Sequence, residues 1–470
     1  MIRKTWKRLL NSPTFSTWLS FISKAASFLV VLPLILNKFS AADVTLWHLY
    51  LILWSLIAIF DAGFGSAFVR VISYLSADSI NTQASFNNNL NTLKNGIEAI
   101  NKVMKKFYLI LGGICFILIG TIGTMLFSKP IDESSNSSFG LYVWFFFICT
   151  YPILLWGNRY INLLIGCHFI PVFRLWETFF NLLILLSILY LSLTGRGIHS
   201  LILTYQCWYV VGVYRNFKLV QNKITLGKKT DEKSIRLIKS LVLNNAMKSG
   251  LGVFLAQGIT QGTSLVYAQY ISPSLLAPYL VGLNIANSIK SFSQAPFYSK
   301  VPVFNRLYGE GNLKKLKELA YQSMNRVYIV FLSAFFFVTI FSEFIFESIN
   351  SKVEFPEMDL WFLVGFGILI ERFGAMHLQI YSTTNHIIWH LLNGITGLVF
   401  FGIFFSTIKL FGLYAFPIGY SVSYLCYYSW YAPKLSYQLL KTNFYNAERR
   451  SFIPFLLLFV IVALYFVFIK

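Results

Sequence analysis

Residues 56–75 read LIAIFDAGFGSAFVRVISYL. Asp61, Gly63, Gly65 and Arg70 interrupt a run that is otherwise apolar and continues on both sides. The chain therefore places a carboxylate, a guanidinium and two helix-weakening residues where its neighbours look like lipid. The composition of the whole supports that setting. Of 470 residues, 56% are hydrophobic and only 12% are charged, against about 25% charged in ordinary soluble domains. The apolar residues fall in blocks of roughly 20, the length at which a helix rising 1.5 Å per residue crosses a bilayer's hydrocarbon. The shorter alternating segments of a β-barrel are absent. The fold class expected is all-α, a polytopic transmembrane helical bundle.

Thirteen spans are expected, over residues 15–36, 45–75, 107–127, 141–163, 173–193, 201–217, 237–270, 275–303, 327–346, 360–380, 387–408, 413–431 and 452–469. Lys and Arg test that list. With the N-terminus in the cytoplasm, nearly every basic loop falls on one side: Arg3 to Arg8, Lys94 to Lys106, Arg215 to Lys239, Arg306 to Arg326 and Lys434 to Arg450. The opposite side keeps only Lys38, Lys129, Arg196, Lys352, Lys409 and Lys470. This is the asymmetry of the positive-inside rule. The formal charge of +21 thus faces anionic membrane lipids, where each cation contributes about 1 kcal/mol, and no nucleic-acid partner is expected. Cys115, Cys149, Cys167, Cys207 and Cys426 form no CxxC pair, so neither a disulfide framework nor a metal site is expected. The basic start MIRKTWKRLLNSP runs into a span without a cleavage site and is taken as part of a retained first helix.

The hydrophilic stretch QNKITLGKKTDEKSIRLIKS, residues 221–240, separates six spans from the next six. The expected organisation is a six-helix N-lobe (1–220), a cytoplasmic linker (221–240), a six-helix C-lobe (241–440) and an additional C-terminal helix (441–470), with the lobes around a central cavity. NKFSAADVTLWHLYLILWSLIAIFDAGFGSAF, at the first hairpin, has a weak counterpart in AQYISPSLLAPYLVGLNIANSIKSFSQAPFYS, at the seventh and eighth spans. Each is a small-residue turn followed by a long, interrupted span. Such a pair at matching places of two halves points to a transporter site.

Charges deep in hydrocarbon cost roughly 2.5–3.5 kcal/mol each on insertion scales and survive by facing water or a partner. Lys24 in the first span and Lys248 in the seventh are counterparts, as are Arg70 in the second and Lys290 in the eighth. Together they are expected to line a cationic cavity suited to a phosphate or diphosphate. Arg70 and Lys300 lie near a span end and have a second reading, in which they snorkel. Arg174 and Glu177 are expected to form a surface pair. Glu371 and Arg372, being adjacent, are expected to point apart, which leaves Glu371 as the mid-span acid of interest. Gly63 and Gly65 allow close packing or a helix break, and Pro296 falls at the matching place in the eighth span. Asp61 is placed to pair with Lys24, to titrate in coupling to an ion, or to form a structural buried pair.

The stretch around Asp61, Gly63, Gly65 and Arg70 resembles the corresponding stretch of bacterial polysaccharide flippases. These include the O-antigen translocases of the multidrug/oligosaccharidyl-lipid/polysaccharide exporter superfamily. FSQAPFYSKVPVFNRLYGEGNLKKLKEL, with Pro302, Arg306, Gly309 and Gly311, is similar to that family's second signature. The resemblance implies two six-helix lobes whose first, second, seventh and eighth helices line the cavity. It also implies turnover of an undecaprenyl-diphosphate-linked oligosaccharide across the bacterial inner membrane, with polysaccharide assembly proteins as partners and no cofactor. The thirteenth span and the excess of lysine over arginine depart from the family pattern. A cation-coupled multidrug exporter of the same fold is the alternative, but it calls for acidic rather than basic deep residues. A membrane glycosyltransferase or polymerase would need a large outward loop, and the outward loops at 128–140 and 347–359 are short and without histidine. No Gly-x-x-x-x-Gly-Lys-Ser/Thr segment is present, which argues against ATP hydrolysis by this chain.

Overall fold

The computed structural model describes residues 12–77, 96–224, 232, 235, 236, 238, 239, 261–384, 386 and 388–468. Among these residues there is no strand. The chain divides into two compact units, Met1–Leu251 and Gly252–Lys470. Lys248 and most of the expected seventh span lie outside the described residues; of that span residues 238, 239 and 261–270 are seen, as helix.

In the first unit the helices are α1 (Pro13–Lys38), α2 (Ala41–Ala77), α3 (Gly96–Leu118, carried through a π-turn to Asp132), α4 (Ser137–Gly166), α5 (Ile170–Leu193) and α6 (Ile198–Lys223). Their ends are written locally. The Asn136 carboxamide accepts from the Phe139 N–H at 3.1 Å to cap α4, and prolines open α1 and α5, where a missing N–H costs nothing. Helix α1 packs along α5, and α4 lies against α2, α3 and α6. Phe68, Met104, Tyr108, Leu163 and Leu164 form part of a buried core shared by α2, α3 and α4.

The second unit contains α7 (Pro273–Ser293), α8 (Ala295–Tyr298), α9 (Val301–Gly309), α10 (Leu313–Ser348), α11 (Met358–Tyr381), α12 (Trp389–Phe411), α13 (Ala415–Ser423), α14 (Ser429–Leu439), α15 (Phe444–Glu448) and α16 (Phe452–Phe468). A π-turn at Tyr424–Tyr428 joins α13 to α14. Helix α11 is central: 89% of its apolar window is buried inside the protein, and it contacts α7, α10, α13, α14 and α16.

Seven helices among the described residues are long and apolar enough to cross a membrane by length and composition, one of them running from Trp389 to Leu439. Every expected span except the seventh coincides with helix. The two interrupted spans differ. The long second span does not break at Gly63 or Gly65, because α2 runs unbroken through both. The long eighth span does break, twice. It ends at Ser293, restarts as α8 with Pro296 in its first turn, and restarts again as α9 with Pro302 in its first turn. A proline cannot donate to the preceding turn and its ring crowds that turn's carbonyl, so both prolines sit where a helix can only begin. The thirteenth span, α16, packs on α10 and α11. Phe452 stacks on Phe373 with ring centres 4.2 Å apart, and Phe459 meets Phe335 and Phe362.

Candidate functional site

Two clusters of charge sit on helices of spanning length, one in each unit. In the first, Lys24 on α1 reaches across to Glu177 on α5, with Nζ 2.8 Å from Oε1. The other oxygen, Oε2, accepts from Ser20 Oγ at 2.6 Å and from Arg174 Nη1 at 2.7 Å. Helical spacing explains the set: Ser20 and Lys24 are one turn apart on α1, and Arg174 and Glu177 are three residues apart on α5. One carboxylate thus holds two cations and one hydroxyl. The expected surface pair of Arg174 and Glu177 is corrected here, since Glu177 is mostly buried and serves Lys24 as well.

Asp61 is not Lys24's partner. Its carboxylate accepts from the Tyr108 hydroxyl on α3 and, at 3.5 Å, from Asn162 Nδ2 on α4. Asn162 Nδ2 also donates to the Tyr108 oxygen at 2.8 Å. Gly65, one turn on, explains why the carboxylate can fold back along its own helix: a Cβ there would stand 2.5 Å from Asp61 Oδ2. Close approach, not a helix break, is the use of that glycine. Gly63 lies in the same unbroken helix.

A cavity of about 390 Å³ within the first unit brings these groups to one wall. Lys24, Arg174, Arg215, Asp61 and Glu177 line it, with Asn158, Asn181 and Asn216. Trp54, Phe180, Trp208 and Tyr209 supply flat apolar faces. Trp54 is fixed by its indole N–H, which donates to Gln206 Oε1 at 2.6 Å, while Gln206 Nε2 donates to Thr150 Oγ1 at 2.6 Å. The Arg215 guanidinium lies 4.6 Å from the centre of the Phe180 ring. Three cations against two carboxylates make the lining net positive.

In the second unit Lys290 on α7 lies 3.1 Å from Glu371 Oε2 on α11, and its ammonium is 3.4 Å from the Tyr420 hydroxyl. Arg372 folds back onto its neighbour, donating from Nε to Glu371 Oε2 at 2.6 Å and from Nη2 to Oε1. The expectation that adjacent residues point apart is thereby overturned. The arginine stem is long enough to bend around the helix, and a buried carboxylate against a guanidinium is satisfied best by the two-pronged contact. Arg372 Nη1 also donates to Gln294 Oε1 at 2.6 Å. Gln294 is the residue between α7 and α8, so the break at Pro296 presents its side chain to the cluster.

Of the expected cationic set, then, Lys24 and Lys290 each hold a carboxylate, in separate units. Arg70 is exposed and has no ion-pair partner among the described residues. Lys300 is half-buried as the residue before α9. Lys24 and Asp61 share a cavity without touching. The sequence did not single out Tyr108, Asn162, Gln294, Arg215 or Tyr420. Nothing in the local sequence of any of them names a partner, and only the fold brings them to the two clusters.

No protein-family profile matches the sequence, and a search of curated proteins finds no match. Solved structures do match. An inward-facing multidrug-resistance MATE-family transporter of the MOP superfamily superposes with a TM-score of 0.66 at 13% identity, over 90% of this chain and 96% of that one. The lipid II flippase MurJ in an inward closed conformation gives 0.62 at 12% identity, over 95% and 91%. An outward-facing MATE-family transporter gives 0.58 at 14%, over 92% and 97%. The likeness is one of fold: the chain has the all-helical fold of MOP-superfamily transporters.

Proposed function

We propose that this chain is a flippase that turns a polyprenyl-diphosphate-linked oligosaccharide across the bacterial inner membrane by alternating access, with its N-terminus in the cytoplasm. The observation that carries the reading is the charge count of the two clusters. Each sets a lysine and an arginine against one glutamate on helices of spanning length, so each keeps one net positive charge after its internal pairing. A buried net charge is expensive and is retained where an anion or water answers it. A diphosphate is the anion a membrane-borne substrate would bring. The aromatic faces of the first-unit cavity suit sugar rings, and the prenyl chain would stay in lipid.

On this reading residues 1–220 and 241–440 act as the two lobes, 221–240 as their linker and 441–470 as an added helix. Lys24, Lys290, Arg70 and Lys248 serve the diphosphate. Polysaccharide assembly proteins on either side of the reaction would supply and consume the substrate. The likeness in fold to the lipid II flippase MurJ supports a lipid-linked cargo. In reconstituted vesicles Lys24→Ala or Lys290→Ala should cut translocation of the lipid-linked sugar by at least tenfold, while arginine at either place should retain part of it. Full translocation by both alanine variants would end the reading.

A second reading, a cation-coupled multidrug exporter of this fold, is favoured by one observation. Asp61 is a half-buried carboxylate whose hydrogen-bond partners among the described residues are neutral, Tyr108 and Asn162, in a cavity. Asp61→Asn should abolish transport on that reading at any substrate charge. On the flippase reading it should abolish only the dependence on an ion gradient.

A further inference from the structure

Helix α14 ends at Leu439, and the chain turns through residues 440–443 into the short helix α15 before α16 begins. A cavity of about 560 Å³ opens in this corner, wholly within the second unit. One part of its wall is apolar and aromatic, with Trp430, Pro433 and Phe444. Trp430 and Phe444 are among the exposed large hydrophobics. The other part is polar: Lys434, Gln438, Thr442 and Asn443. The Lys434 ammonium lies 5.4 Å over the Trp430 ring, so its charge is held beside an aromatic face of the cavity. A second cation reaches the same rim, because Lys317 on α10 donates to Thr442 Oγ1 at 3.0 Å. Lys441 lies in the same turn, and Arg449 and Arg450 directly follow α15.

The acid of this corner is turned away. Glu448 is fully buried, accepting from the Tyr437 hydroxyl at 3.1 Å and from the Phe452 N–H at 3.3 Å, with His377 Nε2 at 3.3 Å. It ties the start of α16 to α11 and α14, and among the described residues neither Lys434 nor Lys317 has an ion-pair partner.

We infer that this corner binds the headgroup of an anionic phospholipid. The phosphate would sit against Lys434, with Lys317 beside it, and the acyl chains would lie along Trp430, Pro433 and Phe444. Charge complementarity carries the choice. A helix end with an exposed tryptophan and clustered cations lies where headgroups lie, and each such cation contributes about 1 kcal/mol toward an anionic lipid. The amide and hydroxyl groups can donate to phosphate oxygens that a choline headgroup would cover with its own positive charge. The inference also gives the thirteenth span a use: α15 and the turn before it exist as a wall because α16 returns to pack on α10 and α11.

The test is lipid titration of the full chain in detergent, read by native mass spectrometry. Phosphatidylglycerol should bind at least fivefold more tightly than phosphatidylcholine of the same chains. Lys434→Gln should remove most of that preference, and Lys317→Gln a smaller part. Lys218→Gln should leave it intact; Lys218 also lies over an aromatic ring, that of Tyr214, but in the other unit. Lys434 is exposed, so its replacement leaves the core untouched, and monodispersity of each variant checks this. Equal binding of the two lipids would overturn the inference. So would a preference that survives Lys434→Gln. Competition by glycerol phosphate at the lipid's own concentration would make the corner a free-phosphate site and overturn it too.

Discussion

The two charge clusters have the same members, a lysine, a glutamate and an arginine, and differ in how wet they are. In the second unit the Lys290 and Glu371 side chains keep 17% and 9% of their surface, and α11 is enclosed on several sides. In the first unit Lys24 keeps 50% and Glu177 18%, and a cavity opens beside them. The same three residue types therefore do different work. Among the dry set, removing one partner leaves the others charged with little solvent to answer them, so the pairing weighs heavily on stability. Among the wet set, water or a ligand can take Glu177's place, so the lysine is available to an incoming anion at small cost.

The largest effect should come from breaking the dry cluster. Glu371→Gln leaves Lys290 and Arg372 buried with no carboxylate between them and should cost about 3–5 kcal/mol. Thermal unfolding in detergent, at one fixed scan rate, would show it. Adding Lys290→Met to that variant should restore part of the loss, since one buried cation is easier to satisfy than two. If Glu371→Gln and a Glu177→Gln variant lose the same stability, the wet–dry contrast is wrong.

Much of this contrast lay beyond the reach of the sequence. The helices were legible because a bilayer demands long apolar runs, and a run announces itself without knowledge of its neighbours. The break at Pro296 was legible for the same local reason. Partners were not. Lys24 and Glu177 are 153 residues apart, and nothing in either neighbourhood names the other. Asp61 was read as a partner for Lys24, a titrating group or a member of a buried ion pair, and only the packing of α3 and α4 on α2 chose Tyr108 and Asn162. At Glu371 and Arg372 local reasoning misled, because helix geometry sets the direction of the first carbons and not the reach of a long guanidinium. Gly65 stood between these cases. Its importance was visible, but its purpose, room for a carboxylate, needed coordinates.

That glycine sharpens the comparison at an intermediate size. Asp61 is the first unit's carboxylate held by neutral partners, where Glu371 in the second is held by cations. Gly65→Ala would put a methyl group against the Asp61 carboxylate and force it off Tyr108, at a cost of about 1–3 kcal/mol. Gly309, where a Cβ meets nothing within 4 Å, is the control, and alanine there should cost well under half as much. Combining Gly65→Ala with Asp61→Ala should cost less than the two changes summed. Additive losses in the same unfolding measurement would show that Gly65 serves some contact other than Asp61.

Lys24 should show the smallest change in stability and a large change in transport, and the two together separate a wet cluster from a dry one. Lys24→Gln removes one of three groups that Glu177 accepts from. Arg174 and Ser20 remain at 2.7 and 2.6 Å, so the carboxylate stays paired and satisfied. Half of the surface of the side chain that leaves is already free of protein contact. An exposed ion pair of this kind contributes about 0–1 kcal/mol, so unfolding should shift little. Raised ionic strength should reduce what shift there is, because the Debye length falls from about 10 Å at 0.1 M to about 3 Å at 1 M salt. The Lys290–Glu371 pair, shielded by protein, should show no such salt sensitivity. A loss on Lys24→Gln as large and as salt-insensitive as that on Glu371→Gln would mean that the first cluster is as closed as the second, and that no anion reaches its lysine.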